Sequence, residues 1–368
     1  MSAPKLELVD LVKEYEDGAV VAVDGINLSI APGETVALLG SSGCGKSTTL
    51  NMIVGLETPT SGDIRIDGKS ILHLPAGKRD VGLVFQDYAV FTSMTVKENL
   101  AFGLAVRKTP KPEIERVVAE TAELLGMSDR LNAKARELGG SELQRVAIGR
   151  TLATRPSILL LDEPLSNLEA EARLAMRREL RRLQAETGLT IIYVTHDQIE
   201  ALSLADRIAV MNAGKILQAE ETTSICERPD HVFVAGFLGS PPMNLVRGEV
   251  SRCGETASFS KEGFALDLPP GAHLEPGRYA LGLRPEALRL VPADGAPLSG
   301  VVSLVETRGS EAVVTVEAGP VRLNVIAPAH GRPAEGENVG VDIEAGSLVF
   351  FGGDSNRRIE AYPAGRTL

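Results

Sequence analysis

The chain has 368 residues, 43% of them hydrophobic, and a formal net charge of −11. That length suffices for two domains with sizeable cores, and the acidity argues against a protein built to grip nucleic-acid backbones. Three cysteines, Cys44, Cys226 and Cys253, lie far apart with no C-x-x-C pair, which fits a reducing compartment and no zinc site. Residues 1–13 carry mixed charge without a signal-peptide core. No apolar run approaches the ~18 residues of a spanning helix, so membrane contact is expected only through partner chains. There is no Trp, and aromatics make up 4%, so aromatic stacking platforms are scarce.

In chain order, residues 5–9, 20–23 and 26–30 read as short strands. Tyr15 lies among polar residues. It reads equally as an adenine-stacking ring and as a half-buried strand aromatic. Pro32-Gly33 is a turn before the apolar strand 35–39. Then comes Gly40-Ser41-Ser42-Gly43-Cys44-Gly45-Lys46-Ser47-Thr48, which fits G-x-x-x-x-G-K-[ST], and a helical run ends at Gly55. Strand, glycine loop and helix is the context of a phosphate site. Glycines let backbone N–H groups point inward at anionic oxygens. The helix N-terminus adds a partial positive charge. Lys46 is expected to meet the β- and γ-phosphates and Ser47 to ligate Mg²⁺. Cys44 reads as a small filler.

Past the loop, residues 59–62 form a turn and 63–68 alternate like an exposed antiparallel strand. The buried-strand run 81–85 ends at Gln86. Apolar Ile114, Val117, Val118, Leu124 and Leu125 predict a helix over 112–126. Leu138-Gly139-Gly140-Ser141-Glu142 precedes a second helix, 143–154. Strand 157–161 closes on Asp162 and Glu163, at the edge where parallel sheets carry ligands. Asp162 is expected to hold the metal's water shell and Glu163 to polarise the attacking water. Met176, Leu180 and Leu183 give the helix 171–186 a packing stripe. Strand 190–195 closes on His196-Asp197, so His196 is expected to face the same phosphates. After Pro241-Pro242, short strands such as 313–316, 321–326 and 339–343 predict a small barrel.

Phosphate loop, Gln, short helical insert, glycine motif, Asp-Glu strand and His, in that order, resemble the ATP-binding cassette (ABC) ATPases. Gly40 to Ser47 is similar to the Walker A loop, Gln86 to the Q-loop, residues 158–163 to Walker B with its catalytic Glu, and His196 to the switch histidine. Ser166, Asn167, Leu168 and Glu169 resemble the D-loop, with Glu169 in place of the usual Asp. Runs 193–198, 233–241 and 281–286 are similar to ATPases of carbohydrate-uptake importers of the maltose-transporter type.

The resemblance implies an α/β P-loop cassette over 1–235. It would comprise a RecA-like core, an antiparallel β subdomain and a helical subdomain at about 87–155. An all-β OB-like (TOBE-type) regulatory domain would follow over 236–368. It implies ATP and Mg²⁺ as cofactors, with Ser47, Gln86 and Asp162 around the metal and Lys46, Gln86, Glu163 and His196 in catalysis. Tyr15 falls where the family stacks adenine. Tyr88 and Phe91, which read equally as core, fall where the family receives a coupling helix of the permease. The implied assembly is peripheral, on the cytoplasmic face of the plasma membrane. It contains two permease subunits, a second ATPase head to tail and an external solute-binding protein, with a sugar or polyol such as glycerol or glycerol phosphate as cargo and no nucleic acid.

One motif departs. The family pattern L-S-G-G-Q reads here Leu138, Gly139, Gly140, Ser141, Glu142. Gly139 lacks a hydroxyl, Ser141 adds a side chain, and Glu142 adds a carboxylate at a helix start. The expectation is a non-identical partner ATPase carrying a regular motif. The alternatives are a homodimer with two weakened sites and a catalytically silent structural partner. A DNA-repair or chromosome ATPase is disfavoured by the short insert between Gln86 and Leu138.

Overall fold

The computed structural model describes residues 3–254, 256–344 and 346–362. They divide into two compact units at Thr222/Thr223.

The first unit holds two sheets. In the antiparallel one, β1 (Leu6–Tyr15) lies between β2 (Val20–Ile30) and β4 (Ser61–Ile66), and β4 pairs with β5 (Lys69–Ser70). The two short strands expected over 20–30 are one strand, whose pairing with β1 slips in register between Leu11 and Lys13. Gly25, at φ 63°, supplies the local kink without ending the strand. The second sheet joins β3 (Thr35–Gly40), β6 (Val81–Val84), β7 (Ile158–Asp162), β8 (Thr190–Thr195), β9 (Arg207–Asn212) and β10 (Lys215–Glu221) in the order β10-β9-β3-β8-β7-β6. All its pairs are parallel except β9–β10. β3 and β8 are buried along their whole length, as near-continuous apolar strands covered on both faces must be.

Helix α1 (Lys46–Val54) sends Leu50, Met52 and Ile53 into one core with Leu6, Leu8 and Ile26 of the antiparallel sheet and Leu38, Leu160 and Ile192 of the parallel one. This core places the start of α1 at the carboxyl edge of β3. Arg79, only 6% exposed, secures the other end by donating to Met52 O (2.7 Å), Ile53 O (3.2 Å) and Leu74 O (2.9 Å).

Between β6 and β7 lie α2 (Val96–Val106), α3 (Lys111–Leu124) and α4 (Gly140–Leu152). α3 and α4 match the expected helices to within about three residues, but α2 was not legible. Its start is a capping box: Glu98 N–H donates to Thr95 Oγ1 (3.2 Å) and Thr95 N–H to Glu98 Oε2 (2.7 Å). Leu104 of α2, Val117 of α3 and Ala153 beyond α4 share a small core. Helix α5 (Ala170–Thr187) follows β7 and packs Met176, Leu180 and Leu183 inward. A further short helix, α6 (Gln198–Leu204), is capped by Asp197.

The second unit begins with α7 (Thr222–Glu227) and α8 (Val232–Phe237). α7 falls before the expected boundary at 235/236 and α8 straddles it. They belong here because Val232 N–H bonds Asn356 O (2.9 Å), His231 bridges Arg357 and Arg228 meets Glu360 (3.0 Å). The rest is β-structure: β11 (Asn244–Cys253), β12 (Thr256–Lys261), β13 (Phe264–Asp267), β14 (Gly277–Leu283), β15 (Leu288–Val291), β16 (Leu298–Arg308), β17 (Glu311–Ala318), β18 (Val321–Pro328), β19 (Asn338–Ile343), β20 (Val349–Gly352) and β21 (Arg358–Ile359). They form two antiparallel sheets, β13-β12-β11-β14-β20-β21 and β15-β19-β16-β17-β18. One core containing Phe259, Leu281, Val314, Leu323 and Phe350 serves both sheets. No helix among the described residues is long and apolar enough to cross a membrane.

Candidate active site

Because β3, β6, β7 and β8 run parallel, their carboxyl ends share one edge, and four sequence-predicted pieces collect there. The first is the phosphate loop. A Cβ on Gly40 would lie 2.3 Å from Met211 O and 2.7 Å from Cys44 Sγ. Gly45 sits at φ 104° with Ala22 O 2.3 Å from where a Cβ would be. Only glycine fits either place, so the loop can curl back over the sheet. Cys44 is buried under that curl. Ser41, Ser42 and Gly43 are exposed, while Lys46 is 5% exposed. Lys46 Nζ donates to Gly40 O and Ser41 O, both at 2.9 Å. Its ammonium is thus held by carbonyl dipoles beside the start of α1, whose first turn carries no acidic side chain. That combination draws anions. Ser47 and Thr48 continue the helix.

Ser47 Oγ reaches across to Asp162 Oδ1 at 3.2 Å. Burial pushes the Asp162 carboxyl above its usual range; the Ser47 bond pulls it back, and neighbouring Glu163 pushes the same way as burial. A hydroxyl beside a carboxylate is a hard oxygen donor set suited to Mg²⁺, which also takes phosphate oxygens and waters. Among the described residues no cluster of three His, Cys, Asp or Glu side chains forms a self-sufficient metal cage.

Glu163 continues the β7–β8 pairing through its N–H to Val194 O (3.0 Å), then turns at φ 44°. That left-handed backbone, strained for a residue with a side chain, aims the carboxylate back over the sheet edge. Its Oε2 lies 3.1 Å from His196 Nδ1 and 3.5 Å from Gln86 Nε2. Gln86 also donates to Ser166 Oγ (3.3 Å), Ser166 Oγ to Glu163 O (2.9 Å), and Asn167 Nδ2 to Gln86 O (2.9 Å). Three side chains from three strand ends therefore meet next to the Ser47–Asp162 pair. Leu168 is buried, and Glu169 occupies the N-cap position of α5 in extended backbone without a side-chain capping bond. Tyr15 stands apart at the end of β1, 36% exposed, with Lys13 Nζ 4.8 Å over its ring.

The ABC transporter family model matches residues 23–166, the span from β2 to Ser166. The MalK OB fold model matches 239–288 and the TOBE domain model 281–351. The sn-glycerol-3-phosphate import ATP-binding protein of Rhizobium johnstonii is 44% identical over 359 residues, 96% of this chain and 99% of its own. The chain belongs to the ABC transporter ATP-binding subunits. A trehalose/maltose import ATP-binding protein of Thermococcus litoralis is 42% identical over 94% of this chain and 97% of its own. Among solved structures, the cbiO1 subunit of a Clostridium perfringens ABC transporter complex superposes with TM-score 0.56 at 30% identity, covering 61% of this chain and 91% of that one. The ABC ATPase fold, an ATPase cassette followed by an all-β OB domain, is thus the one that the resemblance implied.

In this ABC ATPase the degenerate glycine motif opens α4. Gly139 has ordinary φ −74°, and a Cβ on Gly139 or Gly140 would meet nothing closer than 3.9 or 3.5 Å. The chain's own packing does not require these glycines. Glu142 Oε2 accepts from Gly139 N–H (3.0 Å) and Oε1 pairs with Arg130 Nε (3.2 Å), while Ser141 is half-buried. Leu138 N–H bonds Ala135 O at 3.2 Å.

The segment after Gln86, with Tyr88 and Phe91, is held by Asn99 and Arg150, which sequence reasoning missed. Tyr88 and Ala89 are both left-handed, at φ 63° and 46°. Buried Asn99 holds the loop by accepting from Phe91 N–H (3.0 Å) and donating to Phe91 O (3.1 Å). The Arg150 guanidinium lies 5.1 Å over the Phe91 ring and donates to Ala89 O. Phe91 is 37% exposed and packs on Phe102 with centroids 4.6 Å apart. It is therefore surface and not core, while Tyr88 is half-buried. An Asn just ahead of the largely apolar run 100–106 was the available signal.

Proposed function

We propose that this ABC ATPase hydrolyses MgATP at the edge of β3, β6, β7 and β8 to drive solute import, most simply of sn-glycerol 3-phosphate or a related polyol or sugar. The carrying observation is the meeting of Glu163, His196 and Gln86 within 3.1–3.5 Å beside Ser47 and Asp162. Lys46 and the N–H groups of residues 40–48 would bind the phosphates, and Tyr15 would stack adenine. Ser47, Asp162 and Gln86 would hold Mg²⁺, which supplies charge neutralisation when bound. Glu163 would orient and polarise the attacking water, and His196 would hold that carboxylate in place and face the γ-phosphate. The expected division into a cassette over 1–235 and an OB-like regulatory domain over 236–368 is proposed with its boundary moved to Thr222/Thr223, where the two compact units part. Names of relatives at 44% and 42% identity support the cargo class.

The proposed setting is the cytoplasmic face of the membrane, beside two permease subunits and a solute-binding protein. The exposed Phe91–Phe102 pair suits a permease helix. The second ATPase is proposed to be non-identical. Gly139 has no hydroxyl for an opposing phosphate, a bond worth about 1.5–3 kcal/mol. Glu142 also sets a carboxylate at the helix start. Residues 138–142 would therefore serve a facing nucleotide poorly.

Glu163→Gln tests the site directly. Hydrolysis should drop by about a thousandfold while nucleotide binding persists, because only the base is removed. Unchanged turnover would refute the assignment. Recovery of two identical ATPase copies hydrolysing at equal rates would leave the site standing and remove the asymmetric pair.

A further inference from the structure

Arg173 lies in the first turn of α5, away from the phosphate loop, yet it contacts both chain segments that carry the reacting pair. Its Nη2 donates to Leu168 O at 3.1 Å. Leu168 belongs to the turn that begins at Glu163 and is tied there by Ser166 Oγ to Glu163 O. On the other side, Nη1 is 3.5 Å from Asp197 Oδ2 and Nε is 3.7 Å from Glu200 Oε1. Asp197 directly follows His196. Its other oxygen caps α6 by accepting from Ile199 N–H (2.8 Å) and Glu200 N–H (3.2 Å). Glu200, 3% exposed, accepts from the Tyr193 and Thr195 hydroxyls of β8. The path Glu163, Leu168, Arg173, Asp197, His196 closes on itself through the 3.1 Å contact between His196 and Glu163.

Arg79 shows how a purely structural arginine is satisfied here. Its buried guanidinium bonds three carbonyls at 2.7–3.2 Å. Arg173 differs. Its carboxylate contacts exceed hydrogen-bond length, and its buried Nε has no hydrogen-bond partner. One firm bond to the 163–169 turn and two longer contacts to the His196 side let the guanidinium trade one side for the other at little cost. Arg177, one turn further along α5, reaches Ser203 of α6 at 3.4 Å, so α5 and α6 are linked twice.

We propose that Arg173 is a positioning residue that sets the spacing of Glu163 and His196, with no part in binding the nucleotide. This rests on the reading of that pair as the groups acting at the γ-phosphate.

The test measures kcat, KM for ATP and affinity for a fluorescent ATP analogue on the assembled transporter containing the full-length chain. Variants are Arg173→Gln, Arg173→Lys, His196→Ala, the double variant His196→Ala/Arg173→Gln, and Glu163→Gln as control. Arg173→Gln should lower kcat about tenfold or more, with nucleotide affinity within about twofold of the parent. Arg173→Lys keeps the charge but not the planar fork, and should recover part of kcat at unchanged KM; it also serves if Arg173→Gln does not fold. The double variant should be no more than about twofold slower than His196→Ala, because both changes act on one contact. Parental kcat, equal losses in affinity and kcat, or multiplying losses in the double variant would overturn the proposal. Parental turnover by Glu163→Gln would overturn the reacting pair itself. A dead Glu163→Gln beside a fully active Arg173→Gln would count against Arg173 alone.

Discussion

Arg79→Met tests whether the phosphate-loop helix is anchored from behind. Met52 and Ile53 are among the last residues of α1, so their carbonyls lack intrahelical partners. The amides of Gly55, Leu56 and Glu57 all turn to Asn51 O instead. Arg79 Nη1 serves both orphaned carbonyls, at 2.7 and 3.2 Å, and its Nε serves Leu74 O at 2.9 Å. A cation at a helix C-terminus is also favourable to the helix dipole. Methionine fills similar space and donates nothing, so three buried acceptors are stranded. At about 1–3 kcal/mol for each unsatisfied group, reduced where water enters, the loss should be about 3–5 kcal/mol. That is a large fraction of the 5–15 kcal/mol typical of a folded domain. Urea denaturation with and without MgATP measures it. The midpoint should fall at constant m-value, and nucleotide should stabilise parent and variant alike while binding survives. Arg79→Lys, with a point charge that cannot span all three carbonyls, should fall between. A loss below about 1 kcal/mol would show that the end of α1 is held some other way.

Gly45→Ala should abolish measurable binding of a fluorescent nucleotide, because the new Cβ would meet Ala22 O at 2.3 Å from a φ of 104°; retained affinity would mean the loop yields easily. Glu142→Gln should keep the bond to Gly139 N–H and shift stability by less than about 1 kcal/mol. It should also raise the ATPase rate of the assembled transporter severalfold, and an unchanged rate would remove Glu142 from the account of the weak motif. His231 caps α8 by accepting from Phe233 N–H at Nδ1 (3.0 Å), and burial, then Arg357, holds its pKa below 6.5. Since the folded state prefers the neutral ring, this contribution is complete above pH 6.5 and is lost as pH falls through the lower folded value. The melting temperature of the OB-like unit should thus decline from pH 7 to pH 5, and less steeply in His231→Asn, whose side-chain oxygen accepts without titrating.

Local pattern made the nucleotide machinery legible. Gly40 to Thr48 announces itself because the loop's chemistry and its backbone demands fall on adjacent residues. Asp162, Glu163 and His196 were readable as the ends of apolar runs, since parallel strands bring such ends to one edge. Helix α2 escaped although its Thr95–Glu98 capping box is a local signal; its packing on α3 and α4 is what no short stretch reveals. Phe91 was ambiguous for a related reason. Whether an aromatic ring is covered depends on what crosses it, here Phe102 and the Arg150 guanidinium.

Spacing and strand ends by themselves pointed to a phosphate-binding α/β unit with candidate residues at one edge and to an all-β tail, while the family resemblance carried by those motifs supplied the ATPase cassette and marked the glycine motif as irregular. All of these are properties of short stretches. Only the folded chain decided that Glu163 turns through a left-handed backbone to meet His196. The same is true of Arg79 closing the far end of α1 and residues 223–237 joining the second unit. Each of those depends on atoms brought together from distant or reversed segments, and pairing across such separations leaves no periodic mark in the sequence.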